Sequence, residues 1–341
     1  MITDPIKLTQ KLIRIESVSG NEHELGDFVF DYLQSAGFKP RRQKVTSLTS
    51  NILVQGKNDI QIDGHMDTVP TGKNWKYGQG QIANGKVYGR GACDIKASIA
   101  TVLSAIAKYP CEVSLSFVVE EENTFRGIKK LAPKKYVIEL EPTENRIIYC
   151  HKGQLRLKLE AAGKAAHASV PEQGDNAIYK LNDAIKKIIN HKFKARHPIL
   201  GKPTFNIGKV EGGVASNIVP DYAVAYVDRR VLPNENSGDI VETYKELLKP
   251  LNVTVDGYFP AAEFPKNSKI IKIMQNILAK YNMNPNPTGV LFTTQLGVMK
   301  NVEGLVFGPG SVKQAHQTDE FVELSQLKKA HSVFCELFRM M

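Results

Sequence analysis

Histidines and carboxylates recur along this chain in short runs, each of a kind that suits metal ligation. His65-Met66-Asp67 follows two apolar, strand-like runs at 51–55 and 60–62. Asp94 ends the glycine-rich stretch Gly89-Arg90-Gly91-Ala92-Cys93-Asp94. Glu120, Glu121 and Glu122 come directly after the apolar run 113–119, and Glu141-Pro142-Thr143 and Gln314-Ala315-His316-Gln317 complete the series. Two histidines and several carboxylates at the ends of strands suit a pair of hydrolytic, zinc-type ions. Any one of them alone reads more readily as an ordinary surface or core residue; five placements together do not.

The spacing narrows the roles. His65 and Asp67 lie two apart on an extended stretch, so His65 can bind a metal while the Asp67 carboxylate holds its other ring nitrogen. Asp94, after a flexible turn, can bridge two divalent ions. Of the adjacent glutamates, one can ligate while its neighbour acts as general base toward a water whose pKa the metal lowers to about 7. The residues alone leave two pairings open: Glu121 as base with Glu122 as ligand, or Glu120 with Glu121. Cys93, beside Asp94, reads as a small buried side chain rather than a thiolate ligand.

Apolar periodicity predicts the elements that must carry these groups. Residues 4–15 form a helix with Ile6, Leu8, Leu12, Ile13 and Ile15 on its apolar face. A second helix starts at Ser19 or Asn21 as cap and ends at Gly37. Helix 95–108 follows Asp94, and strand 113–119 leads into the glutamates. Such alternation predicts an α/β layer, a mostly parallel sheet with helices on both faces, and open sheets of this kind place their sites at strand ends. Beyond Cys150 the texture changes: strand 154–161, helix 175–189, and strands 204–210 and 222–231 make a β-α-β-β unit. Helix 270–281 and strand 304–307 then precede His316. A catalytic domain of residues 1–152 and 259–341 interrupted by a smaller α+β domain at 153–258 is the simplest account.

At 341 residues the chain is long enough for two such domains, and 42% apolar and 23% charged residues are globular values. No apolar run approaches the roughly 20 residues of a membrane span. The start lacks a signal pattern and the four cysteines form no CxxC pair, so a cytoplasmic protein is expected. The net charge of +10 is dispersed in short clusters, with no zinc-finger spacing or aromatic RNA-binding signature. A solvated basic surface, not nucleic-acid binding, is the reading, with an acidic partner as the alternative.

Further motifs carry a resemblance over nearly the whole chain. Gly64-His65-Met66-Asp67-Thr68-Val69-Pro70, Tyr88 to Lys96, the glutamate run with Gly127, and Glu141-Pro142-Thr143 are four of them. His151-Lys152-Gly153, Gly163 to Ser169, Gly212 to Asn217 and Phe307 to Glu320 are the others. With these the chain resembles the co-catalytic zinc aminoacylase and carboxypeptidase family, M20-type metallopeptidases that include acetylornithine deacetylase and succinyl-diaminopimelate desuccinylase. The resemblance implies a zinc-peptidase-like catalytic domain with an inserted ferredoxin-like lid or dimerisation domain, and a homodimer. It implies two divalent ions, Zn²⁺ or Co²⁺, one held by His65, Asp94 and Glu141, the other by Asp94, Glu122 and His316. Asp67 would orient His65. Gly127, five places after Glu122, makes Glu122 the ligand and Glu121 the base. His167 would stabilise the oxyanion, and Asn217 and Arg230 would grip a substrate carboxylate, although Arg229 could do the same.

The resemblance points first to an N-acetylornithine deacetylase of amino-acid biosynthesis, on the segment around His316. A hydrolase freeing lysine or ornithine from an acidic amino-group carrier protein, a succinyl-diaminopimelate desuccinylase and a dipeptidase are the rivals within the class. A non-catalytic binding protein of the same fold is the alternative outside it. Gln295 stands where relatives usually carry an acidic residue, which weakens the case for a cationic, ornithine-like substrate; Ala97 replaces the usual glycine after Lys96.

Overall fold

The computed structural model describes residues 1–341, which divide into two compact units. The first comprises Met1–Tyr149, Phe264–Thr288 and Val298–Met341; the second comprises Cys150–Glu263 and Gly289–Gly297. The second unit thus reaches beyond 153–258 at both ends and takes in a short segment near residue 290.

The first unit opens with α1 (Pro5–Arg14) and α2 (His23–Ser35), then β1 (Arg41–Lys44), β2 (Ser50–Val54), β3 (Ile60–His65), β4 (Gln81–Ala83) and β5 (Lys86–Tyr88). Next come α3 (Lys96–Lys108), β6 (Ser114–Val118), β7 (Tyr136–Glu139) and β8 (Ile148–His151), the last of which runs into the second unit. Asp4 caps α1, accepting from the Ile6 and Lys7 amides, with Pro5 pre-set in the first turn. Neither Ser19 nor Asn21 caps α2. Glu22 holds the cap position without a side-chain bond to the helix, because its carboxylate and the Ser19 hydroxyl are both engaged elsewhere. Gly37 at φ +88 closes α2, its N–H bonding the Gln34 carbonyl while Phe38 reaches back to Leu33. Helix α3 is buried on nearly every side, which explains why Ala, Ile, Leu and small hydroxyl residues fill all its faces.

The second unit holds β9 (Gly153–Ala162), α4 (Ala177–Ile189), β10 (Thr204–Gly212), β11 (Tyr222–Val231), α5 (Ser237–Leu247), β12 (Asn252–Phe259) and β13 (Ala262–Glu263). The chain then gives α6 (Lys269–Lys280), β14 (Thr288–Val290), β15 (Glu303–Val306), β16 (Phe321–Glu323) and α7 (Leu324–Arg339). The second unit's sheet runs β10-β11-β9-β12, all antiparallel. The unit is β-α-β-β-α-β, the ferredoxin-like order, where the sequence showed only its first four elements. Helix α5 was hidden because only Ile240 and Tyr244 on it are buried, too few to give a helical stripe. Leu155, Leu157 and Leu159 of β9 pack with Leu181 and Ile188 of α4 and Tyr244 of α5 on the covered face.

In the first unit the main sheet follows the order β1-β2-β6-β3-β7-β15-β8. Its centre, β6-β3-β7-β15, is parallel, whereas β1, β2 and β8 pair antiparallel. The sheet is therefore mixed rather than mostly parallel: short connections join β1 to β2, and a chain turning back on itself pairs antiparallel. Strands β3 and β6 are buried along their whole length. Helices α1, α3 and α7 pack on one another, α2 lies against β2 and α6 against β15. No helix is long and apolar enough to cross a membrane.

Candidate metal centre

The four parallel strands deliver the proposed ligands to one edge of the sheet. His65 is the last residue of β3, Glu122 follows β6, Glu141 follows β7, and His316 lies in the loop after β15. Asp94 arrives from the turn that opens α3. The carboxyl ends of adjacent parallel strands are where open α/β sheets form their crevices.

There the side chains meet as two overlapping groups. His65 Nε2 lies 3.0 Å from Asp94 Oδ1 and 3.7 Å from Glu141 Oε1. His316 Nε2 lies 2.9 Å from Glu122 Oε1 and 3.5 Å from Asp94 Oδ2. One donor atom from each of His65, Asp94 and Glu141 falls within a 4.8 Å span, and the same holds for Asp94, Glu122 and His316. Asp94 belongs to both groups, one oxygen turned to each histidine.

The electrostatics call for cations. Asp94, Glu122 and Glu141 are nearly buried, and their ion-pair partners are the two imidazoles alone. Burial pushes the Glu141 carboxyl well up, and the neighbouring Asp94 charge adds to this. Burial likewise raises Glu121, with Glu122 and Asp67 contributing, and raises Glu122 against the pull of His316. Burial opposes the charge on Asp94 too, yet hydrogen bonds from His316 and His65 hold it below the usual carboxylate range. His316 is driven up to about 10 by Asp94 and Glu122, while His65 rises despite its burial through its bond to Asp94. A cluster of acids that must borrow protons from histidine is one that divalent cations would satisfy, and the imidazole–carboxylate donor set suits zinc or cobalt.

Asp67 does not do what its spacing implied. His65 Nδ1 lies 3.0 Å from the backbone oxygen of Asp67, and the carboxylate is 3.7 Å away. The Asp67 carboxylate instead accepts the Glu121 amide on Oδ1 at 2.9 Å and the Glu122 amide on Oδ2 at 3.0 Å, with the Ser19 hydroxyl also on Oδ2. Glu22, whose contribution the sequence did not disclose, accepts the Glu120 amide at 3.1 Å. Three successive amides of the glutamate turn are thus held by buried carboxylates. Glu120 sits at φ +58, with its carboxylate bonded to the Thr124 hydroxyl and 3.6 Å from Arg126. That turns it away from both donor groups and leaves Glu122 as the glutamate within the second one. Cys93 is buried, with Sγ against the Ser311 carbonyl.

The remaining residues singled out in the sequence stand in the second unit. His167 is exposed, its Nδ1 2.7 Å from Ser169 Oγ. A bridge between His167 and Ile218, with the Ala168 amide bonded to the Asn217 carbonyl, sets the His167 and Asn217 segments side by side. Arg230 lies on β11, half-exposed, its guanidinium held by Asp228 at 3.0 Å and by the Thr293 hydroxyl at 3.2 Å. Arg229 is buried and locked to Glu235 at 2.6 Å, so of the two arginines only Arg230 presents a surface. Gln295 is fully buried.

Fold and site define a metal-dependent hydrolase, and comparison with known proteins agrees. Residues 62–340 match the model of peptidase family M20/M25/M40, and the chain belongs to that family. A peptidase M20 domain-containing protein of Schizosaccharomyces pombe is 32% identical, covering 94% of this chain and 81% of its own length. A probable succinyl-diaminopimelate desuccinylase of Staphylococcus aureus is 27% identical, covering 98% and 96%. Among solved structures, a tripeptidase from Staphylococcus aureus superposes with a TM-score of 0.84 at 21% identity, covering 98% and 97%. An M20 family metallo-carboxypeptidase from Sulfolobus solfataricus gives 0.79 at 21%, covering 98% of each chain; these two likenesses bear on the fold alone.

Proposed function

We propose that this protein is a two-metal amidohydrolase that removes the acyl group from an N-acyl amino acid, with N-acetylornithine as the first substrate to test. The observation that carries the reading is the sharing of Asp94 between two histidine–carboxylate groups, with the half-buried Glu121 next to Glu122. His65, Asp94 and Glu141 would hold one ion, and Asp94, Glu122 and His316 the other. Zn²⁺ or Co²⁺ there would supply a Lewis acid for the amide carbonyl and bring the pKa of water down toward about 7.

The chain's own residues do the rest. Glu121 takes the proton of the attacking water on a carboxylate oxygen and returns it to the leaving nitrogen, as a general base and then a general acid. Asp67 keeps Glu121 and Glu122 in register through their amides. His167 is assigned the N–H that faces the developing oxyanion, a role worth about 3 kcal/mol of barrier. Arg230, with Asn217, is assigned the substrate carboxylate, for which a guanidinium offers a bidentate fork.

A second reading, succinyl-diaminopimelate desuccinylase, is supported by the name of the Staphylococcus aureus relative. Release of lysine or ornithine from an acidic carrier protein has the net charge of +10 in its favour. We also assign this chain to a homodimer formed through the second unit. There Ile178, Tyr179 and Val214 are exposed beside a surface cavity of about 620 Å³, and β10 is an uncovered sheet edge. Four free cysteines suit a reducing cytoplasm.

The deciding experiment offers N-acetylornithine, N-succinyl-diaminopimelate and carrier-linked lysine to the metal-free protein with Zn²⁺ or Co²⁺ restored. Metal-dependent release from one of them supports the reading and selects the substrate. Failure on all three, with both ions bound, rejects these acyl donors.

A further inference from the structure

A buried ion pair outside the ligand set ties the two donor groups together. Arg90 Nη1 lies 2.6 Å from Glu320 Oε2, and Glu320 is wholly buried with Arg90 nearly so. The other Glu320 oxygen accepts two consecutive backbone amides, Cys93 at 2.8 Å and Asp94 at 3.1 Å. Arg90 donates from Nε to the Pro70 carbonyl at 3.2 Å and from Nη2 to the His316 carbonyl at 3.5 Å. The Gly89 amide reaches the Glu320 carbonyl at 2.9 Å, the Arg90 amide bonds Gln79 Oε1 at 2.7 Å, and the Trp75 ring lies 5.6 Å from the guanidinium.

One pair of side chains therefore grips the backbone of the shared ligand, the backbone of His316, and the turn that follows His65 and Asp67. His316 is the member in most need of this. It is the most exposed of the ligands, its side chain 49% accessible, and it stands at φ +63 in a loop rather than on a strand. Asp94 has no regular element of its own either, since α3 begins two residues later.

We propose that Arg90 and Glu320 are positioning residues that set the distance between Asp94 and His316, and so the affinity of the ion those two share with Glu122. The inference rests on the two-metal reading. The ion held by His65, Asp94 and Glu141 depends on them less, because His65 is the last residue of β3 and neither Arg90 nor Glu320 bonds His65 or Glu141. Planarity and multiple donors are what the site uses, so lysine at position 90 keeps the charge but not the fork. Supporting groups of this kind typically contribute 10- to 100-fold in metal affinity.

The test is calorimetric titration of the metal-free parent, R90K, R90M and E320Q with Co²⁺, alongside the Co²⁺ absorption spectrum and thermal unfolding. The parent should bind two ions. Each variant that folds should keep one ion at near-parental affinity and bind the other at least about 10-fold more weakly, with R90K closer to R90M than to the parent. E320Q, nearly isosteric, secures the comparison if R90M does not fold. Parental affinity for both ions in R90K and E320Q would overturn the inference, as would equal weakening of both, which is what loss of general stability produces. A parent that takes up fewer than two ions overturns the two-metal reading, and this inference with it.

Discussion

Glu121 and Glu122 are neighbours in sequence with opposite duties, and the difference lies in what surrounds them. Glu122 meets His316 and falls within a donor group, whereas burial, with the neighbouring carboxylates adding to it, keeps the proton affinity of Glu121 high. Replacing Glu121 with alanine should leave uptake of both ions intact and lower turnover by roughly 10²–10⁴-fold. Near-normal turnover in a steady-state assay would remove the base assignment. Glu22 carries a second residue-scale consequence. Burial, chiefly, raises its carboxyl from an ordinary 4.5 to about 7. Below pH 4.5 folded and unfolded chains are both protonated there. As pH rises to 7 the unfolded chain loses the proton first, so the fold loses stability, and above 7 the loss is constant. E22Q removes the titration, so its stability relative to the parent should climb between pH 4.5 and 7 and then level off, by on the order of 3 kcal/mol. Urea unfolding of the metal-free proteins from pH 4 to 8 reads this directly; a difference independent of pH would contradict it.

At the scale of elements, the site is a product of parallel strands ending side by side. Strand β6 and helix α3 could be read from their apolar content, and His65, the glutamate run and Glu141 followed because each sits at or just past the end of a strand. What could not be read was contact between segments far apart in sequence. The amides of the 120–122 turn go to Glu22, 98 residues back, and to Asp67, 54 and 55 residues back, pairings that local spacing does not encode. Spacing alone gave the Asp67 carboxylate to His65, because a residue two along a strand points to the same side. Antiparallel pairing of β2 and β8 was equally invisible, since strand direction leaves no mark on composition. Helix α5 escaped for lack of an apolar stripe, and its start depends on Asn236, which accepts the Gly238 and Asp239 amides. Asn236→Ala should cost about 1 kcal/mol of stability while leaving metal stoichiometry unchanged. Thermal unfolding with a metal count checks this, and loss of an ion would show that the second unit supports the metal centre.

For the whole molecule, the net charge of +10 separates the substrate readings. Attraction between a basic enzyme and an acidic carrier acts over distances that salt screens, whereas a small zwitterionic substrate feels little of it. If the carrier is the natural partner, kcat/KM for carrier-linked lysine should fall at least about tenfold as ionic strength rises from about 0.05 to 0.5 M, with the value for zwitterionic N-acetylornithine nearly level. A flat response for both would take the charge out of the argument. The central claim concerns neither charge nor partner but the pair of ions around Asp94. It is tested most directly by titrating Zn²⁺ or Co²⁺ into the chelated protein while following hydrolysis of the N-acyl amino acids named above. Activity should be absent at the start and reach its plateau at two ions per chain. Hydrolysis that persists without metal, or a plateau reached with one ion bound and no second taken up, would contradict the account.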